Sequence, residues 1–180
     1  LHSQKDWRSR LTLLHQQYAD IESRMGGKEA VRLVLPAEAY KLDVTTFCMA
    51  FDFARTSIAQ EYGIPEGYWR LEIDENADHV YRIFVNQELA DSGTLDVDSL
   101  FVKAHPTYLE TLGIPCLAEF GTKEGALVSA EHKEKLVQEK IAYWPPMEQL
   151  IMHVKRVVIE RLEVLASFQN TATILNELQA

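Results

Sequence analysis

The chain has 180 residues, 47% of them hydrophobic and 25% charged, and 18 basic against 27 acidic side chains give a formal net charge of −9. These proportions are typical of one folded globular domain and differ from those of a disordered or fibrous chain. The acidic excess argues against binding to nucleic acid or to an anionic membrane surface, because both require clustered positive charge. We therefore expect a soluble acidic protein with no nucleic acid and no membrane among its partners.

The first predicted elements are a helix, a strand and a second helix. Residues 4–25 carry apolar side chains three and four positions apart, the period of a helix with one buried face; they are Trp7, Leu11, Leu14, Tyr18, Ile21 and Met25. Residues 31–35 are rich in branched apolar side chains and stop at Pro36, which favours a short strand. A second helical pattern begins at Asp43, a candidate N-cap, and reaches Tyr62.

A β-hairpin is predicted next, over about residues 68–86. Two runs alternate between apolar and polar side chains, as half-buried strands do. Pairing Leu71 with Ile83 and Trp69 with Val85 aligns both apolar faces and leaves a loop near residues 75–79. With one or two further strands, this hairpin would form a small antiparallel sheet packed against helices. The predicted fold class is therefore α+β, with long N- and C-terminal amphipathic helices.

The second half of the chain ends in the longest predicted helix, over residues 147–178. Its apolar stripe includes Ile151, Val154, Val158, Leu165 and Phe168. At about 1.5 Å per residue, such a helix would be roughly 45 to 50 Å long, more than a domain of this size can cover. We therefore expect a single α+β domain, 1–180, whose terminal helices 4–25 and 147–178 pack together or lie at an oligomer interface. The five named residues are the candidate interface, and a two-fold dimer is the favoured assembly.

A candidate ligand site centres on Arg55, which interrupts the apolar stripe of the helix over residues 43–62. A guanidinium in that position must extend to water, pair with an acid such as Asp52 or Glu72, or hold an anionic ligand in a pocket. In the last case Tyr68 and Trp69 would form the walls. Pairing or extension to water is the more common outcome, so the pocket is the less favoured alternative.

Metal and cofactor motifs are weak or missing. Asp96 and Asp98 are two residues apart and are weak candidates for a divalent-metal site, because they have no partner acid at a diagnostic spacing. The six histidines form no zinc motif, and no phosphate-binding glycine loop or nucleophile motif occurs. We expect no metal and no cofactor, and the sequence identifies no catalytic residue.

The two cysteines, Cys48 and Cys116, lie among apolar residues and form no C-x-x-C pair. A reducing, cytoplasmic location is therefore expected. No apolar run approaches 18 residues, and the N-terminus has no signal-peptide pattern. Since the chain begins with Leu1 rather than Met, it could be a piece of a longer protein.

Two functions remain open from the sequence. The first is an interaction or assembly protein of unknown process, acting through self-association or binding to a protein partner. The second is a small-molecule-binding protein or enzyme with a pocket near Arg55, Trp69 and the pair Asp96 and Asp98. Whether the protein is an enzyme stays undecided at this stage.

Overall fold

The computed structural model describes residues 2–119 and 125–163. These residues form two compact units: unit 1 combines residues 2–95 with 151–163, and unit 2 comprises Asp96–Leu150. The fold class is α+β, as predicted, with two four-stranded sheets. The helices and strands of unit 1, before the final helix, are α1 (His2–Gln17), α2 (Ala19–Arg24), β1 (Val31–Pro36), α3 (Val44–Tyr62), β2 (Trp69–Asp74), β3 (Val80–Val85) and β4 (Glu88–Thr94), with a 3₁₀ helix at Ala37–Lys41 after β1.

Helix α3 begins and ends where the sequence predicts. The Asp43 carboxylate accepts a hydrogen bond from the backbone N–H of Thr46 at 3.2 Å, which satisfies one of the free donors of the first turn. Gly63 ends the helix in the left-handed region at φ +65°, a conformation that glycine adopts at low cost. The buried face of α3 packs against aromatic residues, with ring centroids 5.5 Å apart for Phe47 and Trp7 and 5.7 Å apart for Phe51 and Trp69.

The N-terminal helical segment is interrupted at Tyr18, whose φ of −91° and ψ of 2° separate α1 from α2. The predicted helix over residues 4–25 is therefore two helices. Its predicted buried face is nevertheless correct, because Trp7, Leu14, Ile21 and Met25 are all buried.

The sheet of unit 1 has the order β2-β1-β3-β4, so the predicted hairpin between β2 and β3 is wrong. β1 lies between them and pairs parallel to β2 and antiparallel to β3. Leu33 is opposite both Leu71 and Ile83, which the hairpin would have paired directly. The sheet is thus mixed rather than antiparallel. With β1 between them, β2 and β3 are about 9.6 Å apart. The five residues that connect β2 to β3, 75–79, are long enough to span that distance.

Strand β3 forms its hairpin with β4 rather than with β2. The two strands are joined by a tight turn in which Asn86 and Gln87 both have positive φ, the geometry of a type I′ hairpin. β4 is mostly polar and exposed, as an edge strand can be. Its backbone comes very close to the Tyr81 ring, and a Cβ placed on Gly93 would lie 2.3 Å from the Tyr81 hydroxyl. Glycine is therefore required at that position.

The start of α1 is tied to the loop after β2 by hydrogen bonds that converge on one carboxylate oxygen. Oε1 of Glu75 accepts from the Tyr40 hydroxyl at 2.6 Å, from Gln4 Nε2 at 2.9 Å and from Arg8 Nη2 at 3.3 Å. The hydrogen bond from Tyr40, followed by those from Gln4 and Arg8, lowers the pKa of Glu75. This cluster is exposed and holds the loop in place by polar contacts alone.

Unit 2 contains a second sheet of order β6-β7-β5-β8, with every pair antiparallel. Its strands and helices are β5 (Ser99–Val102), α4 (Pro106–Thr111), β6 (Cys116–Glu119), β7 (Ala126–Ser129), α5 (Lys133–Gln138) and β8 (Tyr143–Trp144). Its core residues are Leu100, Val102, Leu109, Ile114, Ala126, Val128 and Leu136.

The last described helix is α6 (Pro146–Glu160), with described residues continuing to 163. The remainder of the predicted helix over residues 147–178 lies outside the described residues. Among the residues that the structure describes, no helix is long and apolar enough to cross a membrane.

Candidate functional site

Arg55 lies in the core of unit 1 with charge partners from its own chain. Its side chain is 6% exposed, and Nη2 donates a hydrogen bond to Asp52 Oδ1 at 3.1 Å. Nη1 donates to the carbonyl of Gly67 at 3.4 Å and lies 3.7 Å from a Glu66 carboxylate oxygen. The guanidinium also stacks on Tyr18, 4.7 Å from the ring centroid. The pairing with Asp52 that the sequence suggested is therefore present.

The predicted pocket walls lie within the core. Tyr68 is 3% exposed and Trp69 is 2% exposed, and the Trp69 ring contacts Phe51 edge-on. The two terminal nitrogens of Arg55 have acidic partners and both aromatic side chains are packed, whereas Arg55 Nε is buried without a hydrogen-bond partner in the described residues. Ligand binding by Arg55, Tyr68 and Trp69 stays a prediction.

Asp96 and Asp98 lie in a turn before β5. Asp96 Oδ1 accepts a hydrogen bond from the backbone N–H of Asp98 at 3.0 Å, and its carbonyl accepts from the Ser99 hydroxyl at 3.1 Å. Such side-chain to backbone bonds stabilise turns and account for an aspartate at this position. Within residues 2–119 and 125–163, no third histidine, cysteine or carboxylate completes a metal site with this pair.

The candidate interface residues fall into two groups. Ile151 is 8% exposed, and Val154 and Val158 are fully buried within the chain itself. The apolar stripe of α6 is thus covered over these three positions. Leu165 and Phe168 lie outside the described residues, and the interface prediction now depends on them.

A hydrogen-bonded chain of three side chains joins α6 to the sheet of unit 1, and sequence reasoning missed it. The Tyr81 hydroxyl lies 2.6 Å from His153 Nδ1, and His153 Nε2 lies 2.8 Å from Asp91 Oδ2. Tyr81 is 2% exposed and His153 is 9% exposed. Burial, and then the charge of Asp91, raise the pKa of Tyr81, whereas the hydrogen bond with His153 lowers the pKa of Asp91. The available signal was a histidine three residues after Leu150 on an otherwise apolar helix face.

The outer surface of α3 carries two large apolar side chains. Met49 is 64% exposed and Phe53 is 68% exposed, and they are four residues apart, so they are neighbours on one helix face. We call these two residues the α3 patch. Scattered exposed apolar residues are common, but adjacent methionine and phenylalanine side chains are typical of surfaces that bind other proteins. The helix was predicted from the sequence, but this second apolar face was not.

This chain is similar to known proteins in its structure but not detectably in its sequence. No model of a known protein family matches, and neither does any curated protein sequence. The structure of the Chlamydia pneumoniae CdsV protein is similar, with a TM-score of 0.64 and 19% identity over 76% of this chain and 44% of CdsV. A structure of CdsV in complex with the CdsO protein is also similar to this chain, with a TM-score of 0.63 and 19% identity.

Two further similar structures broaden this result. A cytoplasmic domain of Salmonella InvA has a TM-score of 0.58 and 18% identity over 84% of this chain and 91% of that domain. The nonameric cytosolic domain of EscV, from the type III secretion system, has a TM-score of 0.50 and 17% identity over 74% of this chain and 39% of the solved EscV chain. The chain thus spans less than half of the CdsV and EscV chains. At these identities the likeness establishes a common fold.

Proposed function

We propose that this chain is an assembly module that self-associates and binds a protein partner. The α3 patch is the observation that carries the proposal. Fully burying a methionine or phenylalanine side chain contributes about 1.5 to 3 kcal/mol, and Met49 and Phe53 lose much of this while they face water. A partner surface that covers both residues would recover that free energy.

The comparisons support an assembly role. EscV is described as a nonamer, and CdsV is described in a complex with a second protein, CdsO. A chain with the same fold can use equivalent contacts for a closed homo-oligomer, the usual form of soluble assemblies. We extend to this chain a cytoplasmic location, in accord with the cytoplasmic domain of InvA.

The apolar residues Leu165 and Phe168, near the C-terminus, supply a second contact between chains in this proposal. Leu165 and Phe168 continue the helical spacing of the buried residues Val154 and Val158. In the proposed assembly they pack against a neighbouring chain, with 1–180 acting as one domain. The sequence favours a dimer, and a nonamer of the kind described for EscV is the alternative. A mass measurement distinguishes the two.

Light scattering coupled to size-exclusion chromatography tests the proposal at micromolar concentrations of the full chain. The wild type should have the mass of more than one chain. Phe53→Ser should weaken the assembly at least tenfold while leaving circular dichroism and melting unchanged, since the side chain is mostly exposed. A monomeric wild type, or a Phe53→Ser variant of unchanged mass, would contradict the α3 patch as an interface.

Val137 provides a matched control. It is also an apolar helix residue, 59% exposed, but it lies on α5 of unit 2. Val137→Ser should leave the mass unchanged. The double change Leu165→Ala and Phe168→Ala addresses the second contact separately, and it should lower the assembly mass if those residues lie at the interface.

A further inference from the structure

Three potential metal ligands meet at one edge of the unit 1 sheet. β1 and β2 are parallel, with Pro36 opposite Asp74, so their carboxyl ends emerge at the same edge. The 3₁₀ helix that follows β1 carries Glu38, and the loop that follows β2 carries Asp78 and His79. The topology therefore brings together residues that are some 40 positions apart in the sequence.

The donor atoms are already close to one another. His79 Nδ1 lies 2.7 Å from Glu38 Oε1, and His79 Nε2 lies 3.2 Å from Asp78 Oδ1. One ligand atom from each of the three residues lies within 4.8 Å of the others. The backbone at His79 is held in place, because the Leu95 N–H donates a hydrogen bond to the His79 carbonyl at 2.7 Å.

Glu38 adds an independent observation. Its second carboxylate oxygen, Oε2, is buried and has no hydrogen-bond partner among the described residues, although the side chain as a whole is 20% exposed. A buried carboxylate oxygen without a donor is costly unless a cation or a proton neutralises it. The nearby imidazole contacts only the other oxygen, Oε1.

We propose that Glu38, Asp78 and His79 bind one divalent transition-metal ion of the Zn²⁺ class. One imidazole nitrogen and two carboxylates are ligands that Zn²⁺ accepts, and water can complete the fourth position. The ion takes a single ring nitrogen, and Nδ1 with Glu38 is the pair already in place. Asp78 is 92% exposed, so its carboxylate can rotate toward the ion without displacing a packed side chain.

Calorimetric titration of the full chain with ZnCl₂ at pH 7.5 tests this site. The wild type should bind one equivalent of Zn²⁺, and the same titration with Mg²⁺ should give a much weaker signal because Mg²⁺ prefers an all-oxygen octahedral shell. His79→Asn should weaken Zn²⁺ binding at least tenfold, and Glu38→Gln should do the same. Asparagine suits the first variant because it tolerates the positive φ of 61° at this position.

A matched control variant and a direct spectroscopic probe distinguish Zn²⁺ binding at the proposed site from Zn²⁺ binding elsewhere on the chain. His132 lies 3.4 Å from Glu131 Oε1 but forms no three-ligand group in the described residues, so His132→Asn should bind Zn²⁺ as the wild type does. In nuclear magnetic resonance spectra of the imidazole nitrogens, Zn²⁺ should shift the His79 signals first. Equal Zn²⁺ affinity in His79→Asn, unshifted His79 nitrogens, or no binding by the wild type would each overturn the proposal.

Discussion

Removal of the Tyr81 hydroxyl should destabilise unit 1, because that hydroxyl is the only group shown to satisfy His153 Nδ1 in the described chain. In Tyr81→Phe the ring keeps its packing, but His153 Nδ1, 2.6 Å from the hydroxyl, loses its hydrogen-bond partner in a side chain that is 9% exposed. A buried polar group left without its hydrogen bond costs about 1 to 3 kcal/mol. For a chain of this length, about 2 kcal/mol corresponds to a fall in Tm of about 4 to 8 °C.

Urea denaturation followed by tryptophan fluorescence measures this loss. Trp7 and Trp69 report on unit 1, and a Trp144→Phe background removes the tryptophan of unit 2. Tyr40→Phe is the matched control, since it deletes a tyrosine hydroxyl that donates to an exposed carboxylate, where water can take its place. The reasoning is refuted if Tyr81→Phe lowers the free energy of unfolding no more than Tyr40→Phe does.

Three further predictions concern packing, charge and pH. Gly93→Ala should cost about 1 to 3 kcal/mol in urea denaturation, because its Cβ would overlap the Tyr81 ring, and a combined Tyr81→Ala change should remove that extra cost. Asp52→Ala should also lower the free energy of unfolding, by about 1 to 3 kcal/mol, because a buried Arg55 nitrogen loses its carboxylate hydrogen-bond partner. A melting curve equal to that of the wild type would show that the pair contributes nothing to stability. Hydrogen bonds lower the pKa of Glu75 in the folded chain, so its contribution to stability is present above the unfolded pKa of about 4.3 and is lost as the pH falls through the folded value. Between pH 5 and about pH 3, Glu75→Gln should therefore lose less stability than the wild type, as measured by melting at each pH.

The features predicted correctly from the sequence are those encoded by nearby residues. α3 has its cap at Asp43, its stop at Gly63 and an apolar face interrupted only by Arg55, all within one segment. The ion pair between Arg55 and Asp52 is likewise local, because the two side chains are three positions apart on one helix. Local spacing determines such contacts, so they can be read directly from the chain.

The features missed depend on contacts between distant segments. The alternation in β2 and β3 correctly indicates which side chains face the core, but it does not specify which strand lies beside which. β1 can pair on both edges because Leu33 matches Leu71 on one side and Ile83 on the other. In the same way, no sequence motif contains His153 and its partners, because Tyr81 and Asp91 lie on two strands far from it in the sequence.

The central position of β1 also constrains the order of events during synthesis. β1 is made before either of its neighbours, and its pairing partner Trp69 follows only after the whole of α3. A nascent chain that ends before residue 69 contains β1 but neither of the strands that pair with it. Val31 and Leu33 are then exposed to water or to a chaperone. Because such distant pairing is slow, we expect this segment to be the most aggregation-prone part of a partly translated chain.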